Sequence, residues 1–161
     1  MTREMTLITG AESPGPSGSA DEALRQFYQG FNACDLEQVA GNWAATPEIS
    51  MANPLGGLKR GWPEIRSVYE RLFSSDARVY VELYYYTLQE TGELFIAVGR
   101  ERGELTWGPQ RVELAIRTSR IYRRIGGGWR QVHHHGSMDE PERLARYQEV
   151  VREANASRVE T

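Results

Sequence analysis

The sequence predicts an α+β fold: N-terminal helices packed over the concave face of a strongly curved antiparallel sheet, with a cone-shaped cavity between them. Three observations carry that expectation. Helical apolar spacing is confined to the first half of the chain and its C-terminal end. From Arg78 to Ser137 the apolar period becomes two, interrupted by short turns. Those turns are of hairpin length, so consecutive strands form a meander with the helices segregated to one side.

Residues 1–19 end in a polar, Pro/Gly-rich stretch and are expected to be a flexible tail. The cone domain is expected over 20–155, with 156–161 as a second tail. Ser19 or Asp21 caps a first helix whose stripe runs Leu24, Phe27, Tyr28, Phe31 and Cys34, which makes Cys34 a small core residue. Asp35 starts a second, short helix presenting Leu36, Val39 and Trp43. Glu48 to Ala52 reads as extended, and Leu55-Gly56-Gly57-Leu58 as a turn or short hairpin. A third helix begins at Gly61, with Pro63 in its first turn, Ile65, Val68, Tyr69 and Leu72 inside, and a stop at Ser74-Ser75-Asp76. The strands follow over 78–87, 94–104, 111–124 and 129–137, the last two joined by Gly126-Gly127-Gly128. Asp139-Glu140-Pro141 opens a final helix to about Ala154, with Leu144, Tyr147 and Val151 on one face.

Alternation assigns the faces. Val79, Val81, Leu83 and Tyr85 share the concave side in the first long strand, and Ile96, Val98 and Arg100 in the second. In the third, Val112, Leu114 and Ile116 lead to Thr118, Arg120 and Tyr122. In the fourth, Val132 sets a phase that brings His134 and Gly136 inward and turns Gln131, His133 and His135 outward. The opposite face carries Tyr80, Tyr84, Tyr86 and Phe95 beside Glu82 and Glu101. That is more apolar than a solvated sheet needs, and it predicts self-association as a homodimer through the convex side.

Composition excludes several classes. With 40% hydrophobic and 25% charged residues over 161 positions, the chain is long enough for one sizeable core. A net charge of −3 offers no basic footprint, so no nucleic-acid partner is expected. No apolar run reaches membrane-spanning length and no signal-peptide core is visible, which makes a cytoplasmic protein the expectation. Cys34 is the single cysteine, so no intrachain disulfide forms. No nucleophile elbow, P-loop or dinucleotide fingerprint occurs, and no cofactor is expected.

The segments Arg60-Gly61-Trp62-Pro63-Glu64-Ile65, Ala97-Val98-Gly99-Arg100, Thr118 to Arg124 and Trp129 to Ser137 resemble the SnoaL-like branch of the nuclear transport factor 2-like superfamily. They are also similar to the association domain of calcium/calmodulin-dependent protein kinase. The resemblance covers residues 20 to 155 in element order, with its sharp motifs in the last two strands. It implies the cone fold. Its members include isomerases, cyclases, dehydratases and scaffolds, so it does not choose an activity.

Arg100 and Arg120 are the first candidates for a ligand site, because two guanidiniums on a concave face demand counter-charges. Internal acids, water, or an anionic ligand held in forked geometry would each supply them. In the association domain the matching arginines line an acid-binding cavity, which the resemblance carries to this pair; a third basic position there matches Gly136, which has no side chain. His134 is the candidate acid/base, with Tyr85 as a hydrogen-bonding partner. Trp43, Met51, Trp62, Tyr69, Thr118 and Tyr122 complete the expected wall. His133 and His135 lie two apart on one face, but no third ligand is visible, and no metal site is expected. Glu82, Glu101 and Glu113 fall outside by parity, which disfavours carboxylate-driven chemistry. The leading expectation is a cavity binding a small, anionic, partly apolar organic molecule. The alternatives are an isomerase, cyclase or dehydratase using His134, and a ligand-free assembly module.

Overall fold

The computed structural model describes residues 7–159. Helices α1 (Ala20–Asn32) and α2 (Leu36–Asn42) precede a small hairpin of β1 (Ser50–Ala52) and β2 (Lys59–Arg60). Then come α3 (Gly61–Ser74), the long strands β3 (Arg78–Glu90), β4 (Leu94–Trp107), β5 (Gln110–Ile125) and β6 (Gly128–Met138), and α4 (Pro141–Val159). The strands form one sheet in the order β2-β1-β6-β5-β4-β3, antiparallel except where β1 runs parallel to β6. The α+β cone expected from the sequence is the observed architecture.

Local chemistry explains the boundaries. The Ser19 hydroxyl accepts the Glu22 N–H at 3.2 Å and so caps α1. Asp35 caps α2 in the same way, accepting from Gln38 N at 3.1 Å. Between the two helices Cys34 takes a φ of +54°, the left-handed turn that ends α1. It is therefore half-buried at a corner, and the expectation of a core position on the helix stripe fails. Ile125 pairs with Gly128, leaving Gly126 and Gly127 as a two-residue turn at φ +61° and +83°, values that match the twist of a tight hairpin.

The inner face of the sheet and the helices share one core. α1 contributes Leu24, Phe27 and Tyr28, α3 contributes Ile65, Tyr69 and Leu72, and α4 contributes Tyr147, Val150 and Ala154. Burying the large apolar side chains among these, such as Leu24, Phe27 and Ile65, stabilises by about 1.5–3 kcal/mol each. Phe95 stacks on Tyr122 at 4.5 Å, with Trp129 edge-on to Phe95 at 4.9 Å. Ile8 is buried and exchanges two backbone hydrogen bonds of 2.9 Å with Leu83, extending the β3 edge. That part of the expected tail is thus tied down; the rest of the tail expectations at 1–6 and 160–161 lies outside the described residues. α4 continues beyond the expected end near Ala154 to Val159.

Two irregularities re-phase the sheet. The β3–β4 register shifts between Tyr84 and Thr87, and Tyr85 within it has φ +49°. Side-chain parity changes there, so Tyr86 is buried and Tyr85 is 61% exposed. Across from the bulge Gly99 leaves room that a Cβ would not, since that atom would lie 2.5 Å from the Tyr86 Cβ. At Gly103 a Cβ would fall 1.8 Å from the Tyr80 carbonyl oxygen, so the backbones of β3 and β4 close up only because this position has no side chain. In β6 the shift between the Ile121 and Tyr122 partners leaves Val132 as the extra residue, placing Gln131 as well as His134 inside.

Strand β4 runs in the opposite phase to the expected one. Phe95, Ala97, Glu101 and Leu105 are buried, whereas Val98 is 46% exposed. Arg100 therefore leaves the concave face and Glu101 enters it.

Candidate functional site

Arg120 in the middle of β5 anchors the polar floor of the cone. The residue is 2% exposed and its guanidinium uses all three nitrogens: Nε donates to Tyr28 Oη at 3.1 Å, Nη1 to Gln131 Oε1 at 2.8 Å, and Nη2 to Glu101 Oε1 at 2.9 Å. The plane also lies 3.9 Å from the Phe27 ring centroid. Burial acts to depress the Arg120 pKa, but the surrounding phenols and the Glu101 carboxylate outweigh it, and the group stays charged. Arg120 is answered from within.

Its partners form a wider network. Tyr28 donates to the same Glu101 Oε1 at 2.6 Å, and burial drives its phenol pKa well up. Gln131 Nε2 and Tyr122 Oη both donate to Asn42 Oδ1, at 3.3 and 2.8 Å, while Asn42 Nδ2 donates to Ala23 O. Four elements (α1, α2, β4 and β6) are thereby pinned to β5. Both bonds to Glu101 fall on Oε1; Oε2 receives none among the described residues.

His134 lies beside Arg120 on the neighbouring strand, its Cα opposite that of Arg120. Its Nε2 is 3.1 Å from Thr118 Oγ1, and its buried Nδ1 has no partner among the described residues. Burial, Arg120 and the flanking His133 and His135 all lower its pKa well below the usual imidazole value, so the ring is neutral at physiological pH. An unpaired buried polar atom of this kind costs about 1–3 kcal/mol.

Above this floor sits a chamber of about 60 Å³. Phe27, Phe31, Val68, Tyr69, Leu114 and Ile116 are among its apolar lining, and Glu101, Arg120 and His134 supply the charge and polarity. Burial pushes the Tyr69 phenol up to about 12, so it stays protonated, accepting the Trp43 indole N–H at 3.2 Å.

Of the residues expected from the sequence, Arg120, His134, Met51 and Tyr69 meet at the chamber. Thr118 reaches it through His134. Trp43 and Tyr122 are buried behind its wall, and Trp62 packs half-buried against the core outside it. Arg100 is on the outer face, 2.8 Å from Asp139, and does not join Arg120. Tyr85 is exposed and cannot bond to anything in the chamber. Glu101, Gln131, Tyr28 and Asn42 are the participants that parity or helix assignment concealed. The phase of β4 was available from Leu105 on one side and Arg100, Arg102 and Glu104 on the other. His133 and His135 stand 6.5 Å apart with His133 Nδ1 at 2.7 Å from Ser50 Oγ, and no metal-holding cluster occurs among the described residues.

An open six-stranded sheet curled around a helix-lidded chamber defines the NTF2-like class of cone folds. Residues 20–140 match the model of the SnoaL-like domain, and the chain belongs to that family. Among solved structures, it is similar to a putative calcium/calmodulin-dependent protein kinase type II association domain from Thiobacillus denitrificans (24% identity, TM-score 0.65, covering 76% of this chain and 96% of that one). It is also similar to a putative dehydratase of the NTF2-like family from Streptomyces avermitilis (20% identity, TM-score 0.66, 73% and 91% covered). An NTF2-like superfamily protein from Salmonella enterica serovar Typhimurium matches at 21% identity and TM-score 0.66, over 74% and 87%. No curated protein matches. At these identities the neighbours establish the fold, and the site must be read from its own chemistry.

Proposed function

We propose that the chamber, together with the adjoining hollow that shares Asn53, Leu55, Val68 and Leu72 with its wall, binds the apolar body of a small organic molecule, whose neutral hydrogen-bonding end meets Glu101 Oε2 and His134. The observation that carries this is the unmatched polarity of an otherwise apolar chamber. Arg120 is paired with Glu101 and bonded through all three nitrogens, while one carboxylate oxygen and one imidazole nitrogen have no hydrogen-bond partner among the described residues. A ligand carboxylate at this floor would meet Glu101 with no cation to spare, whereas a hydroxyl or amide satisfies both groups. Titration calorimetry with 4-ethylphenol and ethylbenzene tests the reading. The phenol is expected to bind more tightly, and His134→Leu is expected to erase the difference. Equal affinities in the native chain would remove the polar floor from the account, and no binding of either would remove the chamber.

A neutral histidine and a carboxylate lining the same chamber support a second reading, proton transfer of the dehydratase or isomerase kind. Turnover lost in both His134→Gln and Glu101→Gln, with ligand binding retained, would favour it over binding alone. The outer sheet face supports self-association: Tyr85, Val98 and Tyr80 (42% exposed) stand on it as large exposed side chains. Light scattering should give a dimer mass for the native chain and a monomer for Tyr85→Asp/Val98→Asp.

A further inference from the structure

A second hollow of about 410 Å³ abuts the chamber, sharing Asn53, Leu55, Val68 and Leu72 with its wall. It lies between α3, α4 and the β1–β2 hairpin. Three cations from three elements line it: Lys59 of β2, Arg71 of α3 and Arg152 of α4. No aspartate or glutamate lines it among the described residues, although the chain as a whole carries a net charge of −3. None of the three cations forms an ion pair among the described residues. Within that same set Arg71 has only a 3.3 Å bond to the Ser67 carbonyl of its own helix, and Lys59 and Arg152 have no side-chain hydrogen bond. Arg25, Arg66, Arg100, Arg102, Arg111 and Arg120 meet carboxylates, and Arg78, Arg124 and Arg130 bond only to backbone carbonyls among the described residues; what sets Lys59, Arg71 and Arg152 apart is that they line one hollow together. The remaining polar lining is uncharged: Asn53, Asn155 and Gln148, whose amide donates to Leu55 O at 3.0 Å.

We infer that this hollow is an anion-binding mouth for an amphipathic organic acid. Its carboxylate sits among Lys59, Arg71 and Arg152, and its apolar body passes between Leu55, Val68 and Leu72 into the chamber. Two features of the molecule demand this division of labour. The inner floor presents an uncommitted carboxylate oxygen and an arginine already paired with that carboxylate, so it offers an anion no counter-charge. The outer hollow presents uncommitted cations and no acid, so it attracts one. The inference rests on the chamber reading above and adds the charge and orientation of the ligand.

A probe with distinct ends tests it: 3-(4-hydroxyphenyl)propanoate, compared with its uncharged methyl ester, by calorimetry on the native chain and on Arg71→Gln/Arg152→Gln. Both substituted side chains are exposed, so the fold is not at risk. The acid is expected to bind the native chain at least about tenfold more tightly than the ester at low salt, with the advantage shrinking as salt is raised. The double variant should lose that advantage and leave the ester's affinity unchanged. Acid and ester binding equally, or acid binding indifferent to the double substitution, would overturn the basic mouth while leaving the chamber intact. If neither compound binds the native chain, the chamber reading falls and this inference falls with it.

Discussion

Arg120→Met keeps most of the side-chain volume and removes the charge. In the native chain the guanidinium holds Glu101, Tyr28 and Gln131 at 2.8–3.1 Å in a core where both charged partners are almost fully buried. The variant strands the Glu101 carboxylate with one hydroxyl, that of Tyr28, to answer it. Breaking a buried pair from one side costs about 3–5 kcal/mol. At about 2–4 °C per kcal/mol for a chain this size, the expected fall in Tm is roughly 6–20 °C. Glu101→Leu strands Arg120 instead and is expected to cost a similar amount. Removing both leaves only Gln131 and Tyr28 short of a bond, at about 1 kcal/mol each. The double variant should therefore lie about 1–3 kcal/mol below native, well short of the additive value of about 6–10 kcal/mol. Urea unfolding followed by tryptophan fluorescence measures all four corners of the cycle. Additive losses would refute the claim that Arg120 is held by Glu101 rather than kept free for a ligand.

Three more expectations rest on the same geometry. His134 is neutral in the fold and titrates near its ordinary value of about 6.5 when unfolded, so the unfolded chain binds the extra proton. Stability should be complete above about pH 6.5 and decline as pH falls below it; urea midpoints across roughly pH 4.5–8 should show a shallower decline in His134→Gln. Gly103→Ala drives a Cβ into the Tyr80 carbonyl and should cost on the order of 4 kcal/mol or prevent folding, read by circular dichroism and yield. Arg100→Ala removes an exposed contact with Asp139, which Arg117 also holds at 2.8 Å; Tm and chamber affinity should stay at native values.

The fold was legible because its signals are local and redundant. Ser19 and Asp35 announce helix starts, the glycine triplet announces a hairpin, and the run from Val112 to Tyr122 alternates without interruption. The inner face of β5 could be read residue by residue for that reason. The site was less legible because its geometry depends on irregularities that alternation does not report. A bulge at Tyr85 and another at Val132 each reverse the facing of the strand residues beyond them. In β4, Ile96 and Val98 are apolar on the outer side, where they suggested the wrong phase and exchanged Arg100 for Glu101. The consequence is chemical: two expected inward arginines become one arginine neutralised by one glutamate. That exchange moves the preferred place for an anion from the floor of the cone to its mouth.

A ligand's uncharged polar end meeting His134 and Glu101 in the apolar chamber is the contact on which the proposed function stands. Imidazole nitrogen NMR on ¹⁵N-histidine-labelled protein, titrated with 4-ethylphenol at neutral pH, observes that contact directly. The expected result is that His134 alone responds, its Nδ1 signal moving to saturation while His133 and His135 stay in place. Saturable binding with the His134 signals unmoved would contradict it.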